Sequence, residues 1–210
     1  MIKAVIYDFD GTLADTLKLH YDAYAYSLLK CGVKASRAEV IDKCFNKQDI
    51  EVANSFGIDV NQFSKYYRQR VTDDFKNVKL YSDVLSTFEL INMPVAIGTS
   101  RSRKELASVF NILHLDKYCN ISVTQDEVKK KKVDIFIKVC KYLKVKSNEV
   151  IIVGDADSDL DSANQMNATS VLYYPESHQD YYDIDKLKKY EPDFIIKNHD
   201  EIIGILQKLN

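Results

Sequence analysis

Four short apolar runs constrain this chain most: residues 2–7 (IKAVIY), 94–98 (PVAIG), 149–153 (EVIIV) and 169–173 (TSVLY). Each is rich in β-branched or other apolar side chains, ends in turn or small polar residues, and is mostly separated from the next by helical periodicity. Strands that alternate with helices bury their apolar faces in a parallel sheet with helices on both sides. The expected fold is therefore α/β, a doubly wound parallel sheet of Rossmann-like form. In such a sheet the carboxyl ends of the strands line the ligand crevice. The chain has only six glycines, and three of them, Gly11, Gly98 and Gly154, stand at strand exits, where the backbone must turn or approach a ligand closely.

Between Thr12 and about Lys79 the pattern changes to helices with no strand between them. Leu17, Tyr21, Tyr24 and Leu28 recur at helical spacing, and segments 36–46, 47–56 and 60–76 follow. This predicts an all-helical domain over 15–79 inserted into an α/β core made of 1–14 and 80–210. The core helices are expected at 83–91, 101–113, 132–143, 157–167 and 199–208.

Charge excludes some functions. With 29 basic against 31 acidic residues and a net charge of -2, no global positive field recruits nucleic acid or an anionic membrane. Cys31, Cys44, Cys119 and Cys140 show no CxxC spacing and no nearby histidine pair, which argues against a zinc site or disulfide framework and for a reducing compartment. No apolar stretch is long enough to span a bilayer, and Met1 to Tyr7 runs into Asp8 before a signal-peptide core could form. The expectation is a cytoplasmic protein without nucleic-acid or membrane partners.

Asp8 and Asp10 end the first strand two residues apart, so an extended backbone would project both side chains to one side. Burying two carboxylates together costs several kcal/mol unless a cation compensates. Asp155 follows another strand, with Asp159 one helical turn on. Such converging acidic oxygens form the hard-ligand environment of Mg²⁺, which also binds substrate phosphate. Taken singly, each pair also suits a plainer role, as an N-cap aspartate or as helix N-terminal acid facing the macrodipole.

The ordered set Asp8-Phe9-Asp10-Gly11-Thr12, then Thr99, then a lysine, then Gly154-Asp155-Ala156-Asp157-Ser158-Asp159 resembles the haloacid dehalogenase superfamily. The likeness is to its phosphatase branch with a helical cap, similar to phosphoglycolate phosphatases and β-phosphoglucomutases. It covers essentially the whole chain. The resemblance implies a Mg²⁺-dependent phosphatase acting on a small phosphorylated metabolite through an aspartyl-phosphate, as a monomer or weak homodimer. A phosphosugar mutase is the alternative, and a non-catalytic binding module a more remote one.

In that reading Asp8 is the nucleophile and Asp10 the general acid and base. Asp8, the Asp10 carbonyl and Asp155 hold the metal, with Asp159 behind them. Thr99 binds a phosphoryl oxygen, helped by the backbone N–H groups of Phe9 and Ser100. The family's Lys-Pro-x-Pro-Asp pattern, matched without its prolines by Lys130-Lys131-Lys132-Val133-Asp134, makes Lys130 the catalytic lysine, with Lys129, Lys131 and Lys132 as rivals. His20 falls where relatives carry a histidine near the cap hinge and is read as structural, a hydrogen-bond partner near Asp10 behind the metal ligands. Lys47 is the candidate substrate-anion contact, with Arg68 or Arg70 as substitutes. The tyrosines of the first cap helix and the cysteines are read as packing residues.

Overall fold

The computed structural model describes residues 1–45, 47–129 and 132–210. Its centre is a six-stranded, all-parallel sheet: β1 (Ala4–Tyr7), β2 (Val95–Thr99), β3 (Ile121–Thr124), β4 (Val150–Gly154), β5 (Thr169–Tyr173) and β6 (Phe194–Ile196). The spatial order is β3-β2-β1-β4-β5-β6. The order reverses between β1 and β4, and a doubly wound sheet opens its ligand crevice at that point, outside the strand ends. Tyr7 is in register with Val153, and Asp8 N–H donates to the Val153 carbonyl at 2.9 Å, so β1 and β4 deliver Asp8 and Asp155 side by side.

Parallel strands covered on both faces read as continuous apolar runs, and β1, β2 and β4 are buried at every residue. Side chains alternate between the faces. Ala4 and Ile6 pack with Val133, Ile135, Phe136, Val139 and Cys140 of α7 (Lys132–Leu143) and with Ala163 and Met166 of α8 (Asp157–Met166). Tyr7 turns to the other face, against Phe88 of α5 (Val84–Leu90) and the His199 ring before α10 (Glu201–Leu209). The remaining core helices are α6 (Arg103–Phe110), opened by a Ser102–Glu105 capping box, and α9 (Ile184–Lys188).

The strand runs 2–7, 94–98, 149–153 and 169–173 appear within two residues of their expected bounds. Three elements were not anticipated: β3, β6 and α9. Both strands lie at sheet edges, where partial exposure relaxes the need for an apolar run, and α9 is a single turn and a half.

The chain divides into two compact units, Met1–Asp15 with Lys79–Asn210, and Thr16–Val78. The chain leaves and re-enters the α/β unit along neighbouring paths: Ala14 bridges Leu80 antiparallel, and Tyr81 N–H donates to the Leu13 carbonyl at 3.0 Å. The helical unit consists of α1 (Leu17–Lys30), α2 (Arg37–Cys44), α3 (Asp49–Phe56) and α4 (Val60–Phe75). Its interior is aromatic, with Tyr24 stacked on Tyr67 at 4.6 Å and edge-on to Phe45 at 5.6 Å. No described helix is long and apolar enough to cross a membrane, and all four cysteines are free.

Candidate active site

β1 ends at Tyr7, and the chain bends through Phe9 into a turn that only glycine makes without strain, with Gly11 at φ +72°. The extended backbone assumed for Asp8 and Asp10 therefore does not continue, and the two carboxylates take different partners. Asp8 Oδ1 accepts from Lys132 Nζ at 2.7 Å. Asp10 is gripped by Arg101, whose Nε and Nη2 donate to its two oxygens at 2.7 Å each. This fork geometry is the strongest form of a carboxylate pair.

Asp155 and Asp159 close the group from the β4 exit. Carboxylate oxygens of Asp8, Asp155 and Asp159 all lie within 4.8 Å of one another. Thr12 Oγ1 donates to Asp155 Oδ1 at 2.8 Å. Asp159 Oδ1 lies 3.2 Å from Lys132 Nζ, and its Oδ2 accepts from the Ala156 N–H. Asp159 thus stands inside the carboxylate group, not behind it. Two glycines make the approach possible: a Cβ at Gly11 would sit 2.3 Å from Asp155 Oδ2, and one at Gly154 2.3 Å from the Asp159 Cβ.

Among the described residues the three buried carboxylates have one ammonium beside them, that of Lys132, which pairs with Asp8 and Asp159. Burial pushes the Asp8 carboxyl up to about 7, against the pull of Lys132 and with the push of Asp159 and Asp10. Burial, then Asp159 and Asp8, raise the Asp155 carboxyl well above the ordinary range. Burial works against the Lys132 ammonium, but Asp159 and Asp8 outweigh it and hold the charge on more firmly than in free lysine. Among the described residues the cluster is short of positive charge, and Asp155 Oδ2 is buried without a hydrogen-bond partner. An oxygen-only donor set with a partnerless buried carboxylate oxygen and excess negative charge fits a hard divalent cation.

The other expected residues divide. Thr99 is fully buried at the end of β2, and its Oγ1 accepts from the Arg101 N–H at 3.1 Å, leaving its own hydroxyl proton to donate. Phe9 is buried in the turn, with its carbonyl taken by the Leu13 and Ala14 N–H groups, and Ser100 is exposed. Lys130 and Lys131 lie outside the described residues. Lys129 is exposed, and the lysine found in the cluster is Lys132, the first residue of α7. In the helical unit, His20 Nδ1 hydrogen-bonds the Tyr67 hydroxyl at 2.7 Å, Lys47 is exposed, and Arg68 and Arg70 pair with Asp49 and Asp74.

Sequence reasoning missed Arg101 and Thr12. Both sit in the motifs, Arg101 two residues after Thr99 and Thr12 closing Asp8-Phe9-Asp10-Gly11-Thr12, so each lay in view without an assigned role.

The family model described as haloacid dehalogenase-like hydrolase matches residues 5–173. The chain belongs to this family. Among relatives, a protein of Caldanaerobacter subterraneus subsp. tengcongensis named "Putative pyrophosphatase PpaX" is 27% identical over 98% of this chain and 95% of its own length. Among solved structures, a haloacid dehalogenase-like hydrolase from Streptococcus pneumoniae superposes with TM-score 0.85 at 17% identity, covering 98% of this chain and 99% of that one. A Lactobacillus plantarum structure titled "putative phosphoglycolate phosphatase" gives TM-score 0.81 at 20% identity, over 97% and 99%. At these identities the structural likeness speaks for the fold, and the motif residues of this haloacid dehalogenase-like hydrolase have to carry the chemistry.

Proposed function

We propose that this hydrolase is a Mg²⁺-dependent phosphatase that releases phosphate from a small phosphorylated metabolite through an aspartyl-phosphate on Asp8. The observation that carries the reading is the buried Asp8 held by Lys132 beside Asp155 and Asp159. A carboxylate is a weak nucleophile, and aiming it from a rigid strand end at a phosphoryl group whose charge is balanced makes in-line attack feasible.

In this reading Asp8, the Asp10 carbonyl and Asp155 hold Mg²⁺. When bound, the ion neutralises and orients the phosphoryl oxygens. Lys132 orients the Asp8 carboxylate and adds positive charge, and Thr99 donates its hydroxyl to a phosphoryl oxygen. Asp10 gives a proton to the leaving oxygen, then takes one from the water that hydrolyses the aspartyl-phosphate, which returns it to its starting state. Arg101 holds the Asp10 side chain in place through both of its oxygens.

The substrate classes in view are phosphoglycolate, sugar phosphates and, from the names of the curated relatives, pyrophosphate. We read the helical unit as the cap that selects among them, with Lys47 as its anion contact, and place the enzyme in the cytoplasm. Hydrolysis is favoured over mutase chemistry by Gly154. Mutase-like relatives often carry glutamate there, and a side chain at this position would collide with the Asp159 Cβ.

The test is phosphate release from p-nitrophenyl phosphate, phosphoglycolate, hexose phosphates and pyrophosphate, with Mg²⁺ and with EDTA, alongside Asp8→Asn. Mg²⁺-dependent release that disappears in the variant is the expected result. Isomerised sugar phosphate without release would replace this reading by the mutase, and release that persists in Asp8→Asn would overturn the nucleophile.

A further inference from the structure

On the sheet face opposite α7, two histidines are completely buried, His178 and His199, and the chemistry proposed above uses neither. A buried histidine without a task is costly, since its ring nitrogens lose water and need partners. Burial holds both rings neutral, pushing His178 down to about 3 and His199 to about 4.

His199 is fixed from three sides. Its ring stacks on Tyr173 of β5 at 4.2 Å and 22°. The His199 backbone N–H donates to Asp83 Oδ2 at 2.6 Å. Its Nε2 meets the Thr12 carbonyl oxygen at 3.0 Å. A carbonyl oxygen only accepts, so the ring proton resides on Nε2, and Nδ1 is left bare, in keeping with its having no partner among the described residues. Thr12 in turn donates its hydroxyl to Asp155 Oδ1 at 2.8 Å.

We propose that His199 is a positioning residue for Asp155: by holding the Thr12 carbonyl it fixes the rotation of Thr12, and through the Thr12 hydroxyl the direction of the Asp155 carboxylate. The proposal rests on Asp155 being a metal ligand. Groups that orient a ligating carboxylate set metal affinity without touching the ion. The neighbouring turn is braced in parallel: Tyr81 N–H holds the Leu13 carbonyl, and the Tyr81 hydroxyl is hydrogen-bonded to His178 Nε2 at 2.9 Å. Two successive carbonyls of the loop that carries Asp8 and Asp10 are thus tied to the face away from α7. This explains why polar rings occupy an otherwise apolar layer.

The experiment measures metal binding directly, by calorimetric titration of Mg²⁺ and of Mn²⁺ into metal-free protein, with thermal melts to establish folding. His199→Phe keeps a ring against Tyr173 and loses the donor, whereas His199→Gln can keep a donor where Nε2 stands. Thr12→Val removes the hydroxyl at nearly constant shape. Thr12→Val is expected to weaken metal binding about tenfold. His199→Phe should weaken it severalfold, His199→Gln should stay close to wild type, and the Thr12→Val, His199→Phe double variant should be no weaker than Thr12→Val alone, because both act on one path. Should His199→Phe fail to fold, ring ¹⁵N shifts of the wild type decide: His199 carries its proton on Nε2 and its shifts move when Mg²⁺ is added. Unchanged affinity in a folded His199→Phe, or a proton on Nδ1, overturns the inference alone. A wild type that binds no metal overturns the metal site together with it.

Discussion

In the α/β unit most of the titratable groups of the site are inside: Asp8 and Arg101 are 6% exposed and Asp155 and Asp159 1%. In the helical unit two of the three charged groups named as candidates are outside, Lys47 exposed and the Arg68 side chain 78% exposed, with Arg70 half-buried, while the interior is filled by Tyr24, Phe45 and Phe63. Burying a charge is so unfavourable that each buried one must have its partner at a fixed place, and the strand exits supply those places. An exposed charge needs no partner, and many positions serve equally well. On the proposed reading, chemistry in this chain is tied to spacing and selectivity is not.

The largest expected effect tests the buried side of that contrast. Asp8→Asn keeps shape and hydrogen bonding to Lys132 but removes the nucleophile, and phosphate release should fall by about 10⁴-fold or more. Because one negative charge leaves a cluster with too few cations, the metal-free variant should melt at or above the wild-type temperature. A large loss of activity together with a lower melting temperature would mean that Asp8 holds the fold and would break the comparison.

Next come the partners. Lys132→Met should lower kcat by about 10²–10³-fold, as expected for removal of a preorganised charge. Lys130→Met should leave most activity in place. The reverse order would return the lysine to the register the motif suggests. Arg101→Gln should cost about tenfold or more in kcat and should weigh more on turnover of the aspartyl-phosphate, followed by rapid quench, than on its formation, because the Asp10 carboxylate serves the second step.

These residues also show what the sequence makes legible. Asp8, Asp10 and Asp155 stand out because each lies one to three residues beyond an apolar strand, whereas Thr99, the last residue of β2, is singled out only by the family resemblance. The motif register points to Lys130, although the helix expected over 132–143 begins where α7 does, because without the two prolines no rigid turn ties that register to the helix start. α7 starts at Lys132 itself, which brings that ammonium to Asp8. Arg101 was hidden for a different reason. Its partner Asp10 is 91 residues away in the chain, and a pair formed across two strand ends leaves no local pattern. β3 and β6 escaped because edge strands carry half the burial that makes a strand readable.

A smaller effect concerns stability and pH. In the folded chain His178 and His199 titrate near 3 and 4, against 6.5 for an ordinary histidine. Between those values the unfolded chain binds more protons, so stability rises with pH there. The contribution of the neutral rings is complete above about 6.5 and is lost as pH falls toward 4, by up to about 1.4 kcal/mol per pH unit for each ring. Denaturant melts at pH 7.5, 6 and 5 should show this slope, and His178→Phe should flatten it.

The smallest expected effect bears on the exposed side of the contrast. If selectivity rests on groups that water already satisfies, removing one of them forfeits only its own contact with substrate and leaves no buried charge uncompensated. Lys47→Ala should therefore raise KM severalfold for a substrate with a second anionic group beside its phosphate, such as phosphoglycolate, change KM for p-nitrophenyl phosphate little, and leave kcat and melting temperature near wild type. Arg68→Ala, which also gives up its 3.6 Å pair with Asp49, should behave similarly at most, since exposed pairs contribute about 1 kcal/mol or less. A loss of kcat in Lys47→Ala on both substrates would mean that the helical unit supplies a charge to the reaction itself, and the division between buried chemistry and exposed selectivity would have to be given up.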